Sequence, residues 1–343
     1  MTEAVLTRVE GAVGRLSLNR PEALHALTTA MCESMTAALL TWREDAAVQA
    51  VLIDHAAGRG FCAGGDIRML AESGAGDAVK ARRFFHTEYR LNHLLQSYPK
   101  PVIAIMDGVV MGGGVGISLP AKVRIATERT TFAMPETGIG LFPDVGGGWW
   151  LPRLPGASGM WLALTGARIK AAECLALGIT THVVESARVD ELKAALVEAP
   201  SVNTVARFAT QPGASSLELD RIDDLFGRES VEAILQALEV DGSDWAQAQL
   251  ATLRTKSPQT LKVGFRQLRI GRDLPSFADN MAMEYRIGSR VVRRHDFLEG
   301  VRAVIVDKDN APRWDPPALD GVTDELLDDI FAPLPPEEEW TQL

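Results

Sequence analysis

Three carboxylates and two glycine runs carry the chemistry this sequence could do. Met134-Pro135-Glu136-Thr137 puts a proline at a helix start and a glutamate in its first turn. An acid there stabilises the helix dipole, or it is presented to a ligand. Further on, Phe142-Pro143-Asp144-Val145-Gly146-Gly147-Gly148 places a second acid. Asp144 can cap a helix containing Trp149 and Trp150, or it can work with Glu136. Glu88 is the third. On ARRFFHTEYRLNHLLQ the apolar stripe runs Ala81, Phe84, Phe85, Leu91 and Leu95, and Glu88 shares that face. A carboxylate on a buried face needs a partner or a function. An arginine partner or a position at the rim would satisfy it without either.

The glycine runs are GRGFCAGGDIRML (58–70) and GVVMGGGVG (108–116). Each follows a predicted strand and precedes a helix start, where unpaired N–H groups and positive dipole potential collect. Bare backbone serves tight packing, or it lets a ligand approach. Two such turns can each aim an N–H at one oxygen, which stabilises an enolate or a tetrahedral anion. Asp66, at the end of the first run, can simply cap the helix behind it.

What is missing narrows the field. The chain has no GxSxG, HExxH, GxxxxGK[ST] or GxGxxG, so a serine-elbow hydrolase, a zincin, a phosphate loop and a dinucleotide fold are unsupported. Cys32, Cys62 and Cys174 lie far apart and form no CxxC pair, which suggests neither a zinc site nor a disulfide framework. The net charge of −10 argues against a nucleic-acid partner, although a local basic patch could hold a phosphorylated ligand. No apolar run reaches the ~18 residues of a membrane span. MTEAVLTRVEGAVG has neither a basic nor an apolar leader segment, so the expectation is a cytoplasmic protein with no membrane partner.

The elements that must position these groups follow from periodicity. Residues 4–18 read as a strand pair around Gly11, and 26–42 as a helix. Strands are predicted at 48–54, 101–108, 122–127, 130–134 and 181–186, with a helix over 77–97. Beyond 187 the pattern is helical. The expectation is a layered α/β unit over 1–186 and a helical region over 187–343, ending in a loosely held acidic tail, PLPPEEEWTQL.

GRGFCAGGDI and GVVMGGGVGISLPAKVRIATERTTFAMPETGIGLFPDVGG together resemble the crotonase (enoyl-CoA hydratase/isomerase) superfamily. PETGIGLFPDVGGGWWLPRLPG and MEYRIGSRVVRRHDFLEGVRAVIVDKDNAPRWDP are similar to its 3-hydroxyisobutyryl-CoA hydrolase subfamily, and the resemblance covers residues 5–317. It implies a crotonase-like spiral of ββα turns with a helical C-terminal region, and acyl-CoA thioesters as ligands. It implies that the N–H groups of Gly65 and Gly113 hold the thioester oxygen. Arg59, Ala63, Gly65, Asp66, Ile67 and Lys308 would bind coenzyme A, and Glu88, Gly113, Glu136 and Asp144 would line the acyl pocket.

One departure matters. Hydratases of this superfamily carry a second glutamate four residues after the first glycine of GGG, where this chain has Gly116. The resemblance therefore implies thioester hydrolysis: 3-hydroxyisobutyryl-CoA and water giving 3-hydroxyisobutyrate and CoA, a step of valine breakdown. Glu136 would be nucleophile or base, Asp144 would orient water or the acyl hydroxyl, and Glu88 would hold polar parts of the substrate. A hydratase or isomerase using Glu136 and Asp144 remains an alternative, as does a non-catalytic CoA-ester-binding scaffold. No metal or redox cofactor is implied, since CoA is part of the substrate. A homo-oligomer is expected, trimer-based or altered by the long C-terminus.

Overall fold

The computed structural model describes residues 3–343. Among the described residues, nine strands form two sheets. β1 (Val5–Glu10) pairs antiparallel with β2 (Val13–Leu18), as the alternation of residues 4–18 predicts. β3 (Ala50–His55), β5 (Val102–Met106), β7 (Val123–Ala126) and β9 (His182–Val183) then continue the large sheet in parallel. β3 and β5 are buried at every residue, the pattern of parallel strands covered on both faces. The short strands β4 (Gly60–Cys62), β6 (Val109–Met111) and β8 (Thr131–Ala133) make a second parallel sheet.

One turn is repeated three times along the chain. A strand of the large sheet leads to a strand of the small sheet and then to helix. After β4 come α2 (Ile67–Gly74) and α3 (Val79–Gln96), after β6 comes α4 (Gly113–Ser118), and after β8 comes a short turn over Glu136–Ile139. This is the ββα spiral the resemblance implies. Its consequence for function is topological. β4, β6 and β8 are parallel neighbours, so their C-terminal ends put the first glycine run, the second run and Pro135-Glu136 side by side.

α1 (Thr29–Glu44), capped by the Thr28 hydroxyl, packs on α3. In the C-terminal region the helices Pro258–Asp273 and Phe277–Val291 fold back over α5 (Gly147–Trp150) and α3 respectively. One buried apolar cluster takes in Leu16, Phe85 and Val115 together with Leu268, Ile287 and Val291. Among the described residues, no helix is long and apolar enough to cross a membrane.

The tail corrects the sequence expectation. It is docked, not loose: Trp340 is 6% exposed and meets the His93 ring at 5.8 Å. Arg90 of α3 donates to the Thr341 carbonyl and hydroxyl at 2.7 Å each. Arg286 donates to both oxygens of Glu339, and Arg82 to Glu338 at 2.5 Å. The acids of the tail answer arginines that are remote in sequence, so composition alone reads them as solvated.

Candidate active site

A cavity of about 70 Å³ opens where the three small-sheet strands end. Gly65, Gly113, Glu88, Glu136 and Asp144 all line it. Its apolar wall is Leu70, Phe84, Phe85, Ile139, Leu141 and Val145.

The two glycine runs lie against each other. A Cβ at Gly112 would stand 3.1 Å from the Gly64 Cα and 3.3 Å from Glu136 Oε1. A Cβ at Gly113 would stand 2.6 Å from Glu88 Oε1. Gly64 and Gly112 also need positive φ, +122° and +46°. Among the described residues, no turn or loop hydrogen bond uses the N–H of Gly65 or Gly113. Gly113 opens α4, so its N–H belongs to the group that a helix start leaves unpaired. Both glycines therefore line one cavity, beside three acids, with N–H groups that no turn or loop hydrogen bond uses.

Those acids are buried. Glu88 is 2% exposed, and Glu136 and Asp144 are 5% exposed. Glu88 Oε1 and Glu136 Oε2 have no protein partner among the described residues. The arginine-pair and rim explanations for Glu88 therefore do not hold. Burial, with the Asp144 charge adding to it, pushes the Glu136 carboxyl well above the usual range. Burial and then Asp144 and Glu284 do the same to Glu88. Burial raises Asp144 to about 7, although a hydrogen bond from the Tyr89 hydroxyl at 2.9 Å pulls the other way. Buried acids with raised pKa in a cleft suit proton transfer near neutral pH.

Asp144 does not cap the tryptophan helix with its side chain. The N-cap of α5 is Gly146, at φ +92°. The capping acid is Glu284, which sequence reasoning missed. It accepts from the N–H groups of Gly146 at 2.8 Å and Gly148 at 2.9 Å. A usable signal was present: Glu284 lies on the same helical stripe as Phe277, Met281, Ile287 and Val291, the argument that singled out Glu88.

Gly116 lies in α4 beneath the Asp144 loop. A Cβ there would meet Val145 Cβ at 2.7 Å and Asn92 Nδ2 at 2.8 Å. The position a hydratase gives to glutamate is occupied by Val145 and Asn92.

The residues expected to hold coenzyme A divide. Ala63, Gly65 and Ile67 line the cavity, whereas Arg59, Asp66 and Lys308 do not. The N–H groups of Ala63, Asp66 and Ile67 already donate to Leu24, Leu27 and Gly65 carbonyls, at 3.0, 3.0 and 2.9 Å. That leaves carbonyl groups, not N–H groups, for a ligand at these three residues. The Asp66 side chain caps α2 through the Met69 N–H and pairs with Arg20 at 3.3 Å. Arg59 and Lys308 are exposed. Arg68 of α2 donates to the Ile305 carbonyl at 3.2 Å, which ties the segment leading to Lys308 to the helix behind the first glycine run.

Comparison with known proteins bears on the family and the fold. Residues 13–331 match the model of the family described as enoyl-CoA hydratase/isomerase. The chain is 45% identical to "3-hydroxyisobutyryl-CoA hydrolase, mitochondrial" of Xenopus tropicalis, over 97% of this chain and 89% of that protein. It is 41% identical to the Homo sapiens protein of the same name, over 97% and 89%. Among solved structures, a carnitinyl-CoA dehydratase from Mycobacterium thermoresistibile superposes with a TM-score of 0.95 at 40% identity, covering 99% of both chains. An enoyl-CoA hydratase from Rhodobacter sphaeroides gives 0.91 at 38%, covering 99% and 100%. On the strength of its spiral and of these near-full-length matches, the chain belongs to the enoyl-CoA hydratase/isomerase family.

Proposed function

We propose that this protein hydrolyses an acyl-CoA thioester, 3-hydroxyisobutyryl-CoA, to 3-hydroxyisobutyrate and CoA, as its curated relatives are named to do. The observation that carries this reading is the packing at Gly116. Hydration of a double bond is served by two facing acids, and here the second site is filled by Val145 and Asn92. The N–H groups of Gly65 and Gly113 form the oxyanion hole, and loss of one such donor typically costs ~100–1000-fold in rate. In its ionised form Glu136 attacks the thioester carbon to give a mixed anhydride, which water then hydrolyses to the free acid and Glu136, or it takes the proton of a water that attacks the carbon directly; its unpartnered oxygen serves either role. CoA departs as the thiolate. Asp144 orients water or the acyl hydroxyl, and Glu88 holds polar parts of the acyl group.

The reading assigns the CoA and acyl sites to the spiral core, 1–186, and a bracing role to the helical region, 187–343. The CoA moiety lies along Ala63, Asp66 and Ile67, with Arg59 and Lys308 at its phosphates. The reaction as written uses water and protein groups only, and its product enters valine breakdown. A homo-oligomer, trimer-based or altered by the C-terminal region, and a cytoplasmic location complete the reading. The relatives are named as mitochondrial, so cell fractionation is the measurement for the location.

A second reading, enoyl-CoA hydration by Glu136 and Asp144, is favoured by the likeness to solved proteins named as an enoyl-CoA hydratase and a carnitinyl-CoA dehydratase. A panel of acyl-CoAs assayed with a thiol reagent separates the possibilities. Free thiol marks the hydrolase, and a change in enoyl absorbance without thiol marks the hydratase. Binding with neither marks a scaffold. Glu136→Gln should cut thiol release by about 100-fold or more while CoA-ester binding stays within a few-fold, and retained turnover would sink its role.

A further inference from the structure

The loop that carries Asp144 is held in an unfavourable shape. Val145 and Gly146 take consecutive positive φ values, +52° and +92°. A β-branched residue in the left-handed region is a true outlier, which persists only where the surroundings dictate it. The surroundings here converge on Glu284. This side chain is fully buried and does not line the cavity. Its two oxygens accept from Gly146 N–H at 2.8 Å, Gly148 N–H at 2.9 Å, Asn280 Nδ2 at 2.8 Å and Gln267 Nε2 at 3.1 Å. Gln267 also donates to the Pro143 carbonyl at 2.7 Å, on the other side of Asp144. Burial raises Glu284 to about 8, against the pull of the bonds from Gly146, Asn280 and Gly148; four donors facing two oxygens favour its ionised form.

We propose that Glu284 is a positioning residue for the reaction: it clamps the amides behind Asp144 and so holds that carboxylate in the acyl cavity opposite Tyr89. The helix Phe277–Val291 thereby becomes part of the active-site frame, from a region remote in sequence. Glu284 touches no reacting atom; it acts through the loop. A carboxamide at 284 would keep one acceptor and turn an N–H₂ towards a backbone N–H, releasing one side of the clamp.

The assay for this inference rests on the hydrolase reading, and a double-mutant cycle tests it. Glu284→Gln should lower kcat for thiol release from 3-hydroxyisobutyryl-CoA by about 10–100-fold, with KM within about threefold, since the buried charge-assisted bonds lost are of that size. In an Asp144→Asn background the same change should add less than about twofold, because residues acting as one unit are non-additive. A merely structural role would give the same loss in both backgrounds, and that result overturns the proposal, as does a kcat within twofold of wild type. Should Glu284→Gln fail to fold, judged by lost CoA binding, Gln267→Leu carries the same cycle with about a fivefold loss expected. Additivity there would also overturn it. If the wild-type protein releases no thiol, the hydrolase reading falls by itself. The position of Asp144 relative to Tyr89 in a crystal structure of the variant then decides, and an unmoved Asp144 refutes the clamp.

Discussion

The Tyr89 hydroxyl donates a hydrogen bond of 2.9 Å to Asp144, joining α3 to the glycine-rich loop 55 residues further on. Its neighbour in sequence, Glu88, lines the cavity that Asp144 also lines. One helix thus supplies an acid to the cavity and, from the next residue, a donor to a second acid.

Tyr89→Phe tests that relationship. Burial raises Asp144 to about 7, and the Tyr89 bond is the main influence opposing it. Removing the donor should raise Asp144 further. The limb of the pH–rate profile that reports Asp144 ionisation should move to higher pH, by roughly one pH unit for a bond worth about 1.4 kcal/mol. At neutral pH the variant should lose about 5–10-fold in kcat/KM, and it should recover when assayed at higher pH. A profile that drops without moving would mean that the phenol does not govern Asp144.

At Gly116 the expected outcome is loss without conversion. Alanine there gains helix propensity of about 1 kcal/mol, but its Cβ meets Val145 and Asn92 well inside contact distance. Overpacking typically costs about 1–3 kcal/mol, so Gly116→Ala should lower Tm and disturb the Asp144 loop. Gly116→Glu should be worse in both respects and should show no gain in crotonyl-CoA hydration. Efficient hydration by Gly116→Glu, with Tm unchanged, would show that the pocket can accept the second acid and would weaken the argument from packing.

Much of this site can be read from residue types. The strand pair over 4–18, the strands at 48–54, 101–108, 122–127, 130–134 and 181–186, and Glu88 on an apolar stripe are local signals found where periodicity puts them, whereas β4 and β6 lie within the glycine runs, where no alternation marks a strand. What brings them together is not local. The meeting of the runs depends on β4, β6 and β8 lying in parallel, a pairing between strands tens of residues apart. Asp144 reads as a helix cap because its real neighbour in that task, Glu284, is separated from Gly146 by 138 residues. The tail reads as solvated because Arg82, Arg90 and Arg286 belong to helices whose packing no short window reveals.

That docking makes the tail a measurable part of the stability. Trp340 packs on His93, His93 stacks on Phe277 at 6.4 Å, and Phe277 lies against Trp150 at 5.8 Å. A Cβ on Gly146 would sit 2.9 Å from the same Phe277 ring. Truncating a buried tryptophan to alanine costs about 3–5 kcal/mol in a well-packed core. At the edge of the fold Trp340→Ala should cost about 2–4 kcal/mol in urea denaturation, with kcat reduced severalfold through the Phe277 contact. A change below about 0.5 kcal/mol, the level of an ordinary surface substitution, would return the tail to the loose state expected from composition.

The last prediction concerns pH and stability, with the sign set by the raised pKa of Asp144. Unfolded, this carboxyl ionises near 3.8; folded, it keeps its proton up to about 7. Between those values the folded state binds more protons, so the contribution of Asp144 to stability is complete below about 3.8 and is lost as pH rises towards 7. Each pH unit is worth about 1.4 kcal/mol, so the interval of about three units sets an upper bound of about 4 kcal/mol. Asp144→Asn has no proton to lose, and its carboxamide oxygen can still accept from Tyr89. It also relieves the like charge that helps to raise Glu88 and Glu136. The stability of Asp144→Asn relative to wild type should therefore climb from pH 4 to pH 7 and level off above it. Taking the difference between the two proteins cancels groups that titrate the opposite way. Asp54, held low against its burial by Lys193 and Arg15, is one such group. Urea unfolding at half-unit intervals from pH 4 to 9 measures it. A difference that stays constant over that range would mean that Asp144 is ionised throughout in the folded protein, and its raised pKa would have to be abandoned.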